Sequence, residues 1–197
     1  MVNHRTLSIL QRVVEHLVTS ERLKHIRNCE RFSLILAERY GVDELACRIA
    51  ALAHDMFRDL SLSKLLLLAE IYGVELNDVE KENPILLHGK LAAIYLQKRL
   101  DIKEKTVLNA VRYHTSGSPE LDTLGKIVFL ADSLEFGRVY DKVETLRKLS
   151  FKNLDTAVFE TLKNKMIYAL KRNLLLLPES VEMWNSMIPA HRENSTL

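Results

Sequence analysis

Cysteine is scarce in this sequence: Cys29 and Cys47 are the only two among 197 residues, and they form no CxxC pair. That excludes a disulfide framework and a cysteine-type zinc module, and it is what a reduced cytoplasmic chain is expected to show. Glycine and proline number six and four, too few for a collagen-like or low-complexity design. No apolar run approaches the roughly 20 residues that span a bilayer; Leu65 to Ala69 and Ile127 to Ala131 are typical. The opening stretch, MVNHRTLSILQRVVEHLV, interrupts its apolar positions with His4, Arg5, Arg12 and Glu15. Neither a secretory leader nor a membrane partner is therefore expected. Charge of one sign is missing too: 28 Lys and Arg face 26 Asp and Glu, for a net charge of +2. Bulk nucleic-acid binding has no support from that balance, so any anion site must be local.

What the chain does have is apolar content, 47% of residues. That excludes disorder, and a chain of this length buries roughly 70% of its unfolded surface. Alternating strand patterns are absent, and a helical period dominates. Leu7, Leu10, Val14 and Leu17 mark a first helix, and Glu21 to Tyr40 a second, stopped by Gly41. Asp43 caps a third, ELACRIAALAHD, whose small alanines allow close packing. Ser61 starts a fourth that ends at Gly73. A polar stretch, Glu75 to Glu82, leads to Asn83-Pro84, read as cap and first residue of the next helix. Val107, Val111 and His114 share a stripe, and Ser118-Pro119 is expected to open the helix carrying Asp132. Helices near 141–150, 154–173 and 179–187 follow, with Leu174 to Leu177 packing the last of them and a polar tail, AHRENSTL, expected to fray. The expectation is one all-α domain, a bundle of nine to ten helices. Residues 1–20 form an N-terminal helix on the core, 21–175 the main unit, and 176–197 the closing helix and tail.

Six residues from five helices carry the chemistry: His25, His54, Asp55, His88, His114 and Asp132. A single histidine on an apolar stripe is ordinarily a hydrogen-bonded core residue, and six such residues together are not an ordinary coincidence. Asp132, amid Val128, Phe129 and Ala131, is costly to bury without a cation. Adjacent helical residues point about 100° apart, so His54 and Asp55 reach one ion only beside a helix end. Imidazole and carboxylate without thiolate suit iron, manganese or zinc. Six ligands exceed one tetrahedral zinc and suit two ions about 3.5–4 Å apart. His4, His16 and His191 read as surface residues, and Cys29 as a small buried hydrophobe.

The order H…HD…H…H…D resembles the HD-domain metal-dependent phosphohydrolases. Three stretches narrow the likeness: RLKHIRNCERFSLILAERYGVDELACRIAALAHDMFRDL, NPILLHGKLAA and HTSGSPELDTLGKIVFLADSLEFGR. They resemble the YqeK-type group, symmetrical diadenosine tetraphosphate hydrolases, over roughly residues 20 to 175. The resemblance implies an HD-domain fold and metal ligands at His25, His54, Asp55, His88, His114 and Asp132. It implies two divalent or trivalent ions with iron foremost, and two ADP as products. Its substrate-contacting positions fall on Arg22, Arg58, Thr115 and Arg138. Three positions depart from the family pattern. Arg58 stands where the group usually has lysine, Phe136 where it has proline, and Ile26 where it has serine after the first histidine. Arg58 keeps the charge with a different hydrogen-bond geometry, and the loss of proline implies a looser loop before Arg138.

The implied mechanism is attack by a metal-bridging hydroxide on an inner phosphorus of diadenosine tetraphosphate. Asp55 bridges, His25 and Asp132 complete one ion's shell, and His88 with His114 holds the other; Asp55, His88 and His114 form the catalytic set. The expected partner is a dinucleoside polyphosphate or nucleotide, with oligomeric state open and a homodimer among the options. Two other readings stay open: an HD phosphohydrolase of other nucleotides or phosphate esters, and a nucleotide-sensing module without turnover.

Overall fold

The computed structural model describes residues 2–194, and side chains up to residue 189. Among the described residues it is all-helical, with eleven α-helices in the order α1 (His4–Leu17), α2 (Ser20–Tyr40), α3 (Glu44–Ala53), α4 (Leu62–Tyr72), α5 (Asp78–Glu82), α6 (Leu87–Leu100), α7 (Lys105–Arg112), α8 (Thr123–Leu134), α9 (Val143–Lys152), α10 (Leu154–Lys171) and α11 (Pro178–Asn194). This is the all-α bundle the periodicity predicts, with one helix more than the upper count. The addition is α5, inside the stretch read as merely polar. Its five residues are held by a capping box, Asn77 and Glu80 each bonding the other's backbone N–H.

Helix α3 lies at the centre. From Cys47 to Ala53 all but Arg48 are buried, with α1, α2, α7 and α8 packed around it. Its alanines let the neighbouring backbones approach, and Ile49 and Leu52 fill the remaining volume. Leu7, Leu10 and Val14 of α1 close one side, while α8 is buried from Ile127 to Ala131. Helices α9, α10 and α11 pack outward from α8. The caps mostly sit where the sequence puts them. Asp43 and Ser61 accept from Ala46 and Lys64, and Gly41 and Gly73 end α2 and α4 at φ of 68° and 67°.

Two local expectations need correction. Asn83 makes no side-chain cap; Pro84–Leu86 is a 3-10 turn, and α6 starts after it. Asp122, not Ser118, caps α8, because the Ser118 hydroxyl accepts from Glu120 and holds a local turn instead. Leu174 to Leu177 form a non-helical connection into α11, with Leu174 and Leu175 half exposed and Leu176 and Leu177 partly buried. Helix α11 runs on to Asn194, into the tail that begins at Ala190. The His191 side chain and residues 195–197 lie outside the described residues.

Candidate metal centre

Three of the four histidines sit where a helix ends or a tight turn begins, and that placement fixes their rings. His54 caps α3 at its C-terminus, His88 follows the 3-10 turn, and His114 lies two residues beyond α7. Each ring bonds through Nδ1 to the carbonyl three residues earlier: His54 to Ala51 at 2.6 Å, His88 to Ile85 at 2.6 Å, His114 to Val111 at 2.8 Å. A carbonyl only accepts, so Nδ1 carries the proton and Nε2 presents a lone pair. His25, on α2, turns Nδ1 to the buried carboxylate of Glu135 at 3.2 Å. All four Nε2 atoms then converge. His88 and His114 approach to 3.0 Å, His25 and His54 to 3.4 Å. Lone pairs facing each other at these distances call for a cation or a proton between them.

Asp55 lies among the four. Its Oδ1 is 3.1 Å from His88 Nε2 and 3.4 Å from His114 Nε2. Its Oδ2 is 3.7 Å from His25 Nε2, 3.8 Å from His54 Nε2 and 2.7 Å from an Arg22 nitrogen. One carboxylate therefore faces two pairs of imidazoles with different oxygens. Asp132, half-buried, adds Oδ1 at 3.4 Å from His25 Nε2. The structure thus brings all six sequence-predicted residues to one centre. Two groups there could hold a metal ion, His54 with Asp55 and His114, and His25 with Cys29 and His54. The donors are nitrogen and oxygen, as borderline divalent cations prefer. Cys29 is the exception, with Sγ 3.5 Å from His25 Nε2. Burial pushes its thiol well up and it donates to the Ala131 carbonyl, so it packs as a neutral thiol.

Electrostatics follow from burial against charge. Burial alone would raise Asp55, but the surrounding histidines hold it well below the usual carboxylate range. Asp132 is opposed by burial in the same way and held down by Lys165 and His25. Burial lowers His54 to about 4 and lowers His88 as well. For His25 burial is outweighed by Asp132, so its value is raised. Without metal, His54 and His88 stay neutral in the fold while unfolded histidines take protons near 6.5. The unfolded chain then binds more protons below that pH, and stability falls as pH drops from about 6.5 to 4, by about 3 kcal/mol for His54 alone. His25 acts oppositely, giving stability below pH 6.5 that is lost as pH rises, and offsets part of the fall. Asp55 and Asp132 keep their contribution through this window and lose it only at lower pH. Thermal melts of chelator-treated protein at pH 7, 5.5 and 4.5 should show descending midpoints; equal midpoints would contradict this balance.

Beside the centre opens a cavity of about 950 Å³, lined by Arg22, Arg58, Arg138, Thr115, Lys165 and the Leu174–Leu177 connection among others. The four sequence-predicted substrate contacts all line it. Arg22 is paired with Asp55 and Asp59, and Thr115 Oγ1 lies 3.0 Å from His114 Nε2. The Arg58 guanidinium meets no carboxylate among the described residues, although α3 ends at Ala53 and only tight turns carry the chain to it. Arg138 rests on Asp132, with Nε donating to its carbonyl at 3.0 Å. The loop before Arg138 is not loose, contrary to expectation. Phe136 stacks edge-on against Phe32 beneath Arg31, and Arg147 donates to the carbonyls of Leu134, Glu135 and Arg138. Sequence reasoning missed Glu135, Arg147 and Lys165. Only Glu135 left a signal, as an acid beside the buried Leu134 in the same motif string. Gly89 was also missed as a packing device. A Cβ there would meet the Val111 carbonyl at 2.9 Å and His114 Cε1 at 3.0 Å, so glycine lets α6 pass close by His114.

Four histidines and two aspartates brought to one centre, three of the histidines from helix ends or turns, define a helical protein that could hold a metal ion beside a cavity rimmed by arginines. Residues 22–137, more than half of the chain, match the model of the HD domain, and the chain belongs to that family. A Bacillus subtilis protein named symmetrical bis(5'-nucleosyl)-tetraphosphatase is 31% identical, over 89% of this chain and 94% of its own length. A Halalkalibacterium halodurans protein of the same name is 32% identical, over 91% and 95%. A crystal structure from Clostridium acetobutylicum, described as a predicted HD superfamily hydrolase involved in NAD metabolism, superposes with a TM-score of 0.88. It is 30% identical and covers 93% of this chain and 97% of its own. Among the described residues, no helix is long and apolar enough to cross a membrane.

Proposed function

We propose that this chain hydrolyses diadenosine tetraphosphate symmetrically to two ADP, with two metal ions held by His25, His54, Asp55, His88, His114 and Asp132. The observation that carries the reading is Asp55, placed between two imidazole pairs with one oxygen toward each, at the floor of an arginine-lined cavity. Asp55 would be the shared ligand, with His25, His54 and Asp132 available to hold one ion and His88 and His114 the other. Iron is the foremost choice, with manganese and zinc as alternatives. When bound, the ions supply Lewis acidity at the phosphoryl oxygens and a water acidified toward neutral pH. The remaining work falls to the protein. Glu135 and the carbonyls of Ala51, Ile85 and Val111 keep each Nδ1 protonated and each Nε2 free, so the ligands need no reorganisation. Arg22, Arg58 and Arg138 offset the polyphosphate charge and fix its register, since guanidinium groups grip phosphate oxygens in pairs. The cavity lies at the upper end of the roughly 300–1,000 Å³ that small-molecule sites occupy, room for a substrate with a nucleoside at each end.

The position of cleavage tests the reading. A pocket that sets the second phosphorus from the nucleoside at the centre yields ADP from both halves, whereas attack one phosphate nearer yields AMP and ATP. In heavy-oxygen water the label should enter one of the two ADP molecules, with neither AMP nor ATP among the first products. AMP with ATP would overturn symmetric cleavage. Tight ADP binding with no turnover under any metal would replace the enzyme by a nucleotide sensor.

A further inference from the structure

Helix α10 lies wholly beyond the residues that match the HD domain, yet it sends one cation into the centre. The Lys165 ammonium is 3.3 Å from Asp132 Oδ2 and 3.2 Å from the Thr115 carbonyl oxygen, and it stands 4.5 Å above the centre of the Phe129 ring. These three contacts tie together parts of the centre that are separate in sequence. Asp132 belongs to the half that contains His25 and His54. Thr115 directly follows His114 and brings Oγ1 within 3.0 Å of His114 Nε2 and 3.4 Å of His88 Nε2, in the other half. An ammonium has three donors and no acceptor, and here two of them meet protein oxygens while the third side lies over an aromatic face.

We infer that Lys165 is a positioning residue that clamps the two halves of the metal centre to each other. By taking Asp132 Oδ2 it leaves Oδ1 turned to His25 Nε2, and by taking the Thr115 carbonyl it fixes the backbone that carries His114. Asp132 has a second cation in Arg138, but Arg138 reaches Oδ1 and the Asp132 carbonyl, and has no bond to the Thr115 segment. Lys126, on the same helix as Asp132, is spent on an exposed pair with Asp155. Among the described residues, Lys165 is the cation whose bonds join both halves.

The inference rests on the two-ion reading above, and its test reads metal as well as turnover. The full-length chain, stripped of metal, is titrated with Mn²⁺ by calorimetry as wild type, Lys165→Met and Lys165→Arg; turnover of diadenosine tetraphosphate is then measured on each. Lys165→Met should weaken Mn²⁺ binding by about 10–100-fold and lower kcat by a similar factor. KM should stay within about threefold of wild type, because a positioning residue acts through the metal ligands. Lys165→Arg should restore most of both losses. If Lys165→Met does not fold, Lys165→Gln must show the same loss of Mn²⁺ affinity. Unchanged Mn²⁺ binding, or a rise in KM with kcat intact, would overturn the clamp and make Lys165 a bystander or a substrate contact. Wild type binding two Mn²⁺ without cleaving the tetraphosphate would overturn the proposed substrate alone, and the Mn²⁺ titrations would still decide the clamp.

Discussion

Asp55→Ala should lose its metal and its turnover together. The carboxylate is the one group that faces all four imidazoles, at 3.1 and 3.4 Å through Oδ1 and at 3.7 and 3.8 Å through Oδ2. Alanine leaves four inward lone pairs with only Asp132, at the His25 side, to supply negative charge. It also leaves Arg22, now 2.7 Å from Oδ2, beside an unpartnered pocket. Both changes act against a bound cation: one removes the shared ligand, the other leaves the Arg22 charge with Asp59 alone to offset it. The rate should fall by at least about a thousandfold, equivalent to roughly 4 kcal/mol of lost transition-state stabilisation. Elemental analysis should read two ions per wild-type chain and fewer than one in the variant. Circular dichroism should show the helices intact, because α3 is packed by alanines, Ile49 and Leu52 rather than by this side chain. Asp55→Asn keeps the volume and one oxygen, and should keep one ion at reduced affinity. A variant with full metal content and wild-type rate would remove Asp55 from the centre. One ion per chain in fully active wild type would remove the dinuclear reading.

The centre was legible in the sequence because its residues are costly where they stand. A carboxylate on the apolar stripe of α8, and histidines on otherwise apolar faces, have to be explained by something they hold. Helix ends were legible for the same local reason: Asp43, Ser61, Gly41 and Gly73 act within one turn of themselves. What the sequence did not disclose depends on partners far along the chain. Lys165 looks like any helix lysine until α10 packs on α8 and brings it to Asp132, 33 residues away. Arg147 is as unremarkable until it reaches three carbonyls around residues 134–138. Ser118-Pro119 has a good opening pattern for a helix, and loses to Asp122 because the serine bonds its own turn. Leu174 to Leu177 read as an apolar run that packs the C-terminal helix, and they also join two helices at the cavity wall, where Leu174 and Leu175 stay half exposed.

Arg138→Ala should slow the reaction by a factor of roughly 30 to 1,000 while leaving the metal in place, a loss of about 2–4 kcal/mol in the kcat/KM comparison. The guanidinium lines the cavity just past the end of α8, on a loop pinned by Phe136 against Phe32 and by Arg147. Its Nε is given to the Asp132 carbonyl and one terminal nitrogen to Asp132 Oδ1 at 3.2 Å. Five N–H donors leave others for a phosphate, and the pinned loop means that little order has to be gained on binding. Asp132 retains Lys165 and His25 when Arg138 is removed, which is why metal content should persist. Arg58→Lys, on the same cavity, should be milder, because the charge stays and only the paired geometry is lost. Parallel metal analysis and kinetics on both variants separate the possibilities. If Arg138→Ala loses metal in step with activity, its work is on Asp132 and not on substrate. If its rate equals wild type, the residue has no part in catalysis, and Arg22 and Arg58 carry the phosphate charge between them.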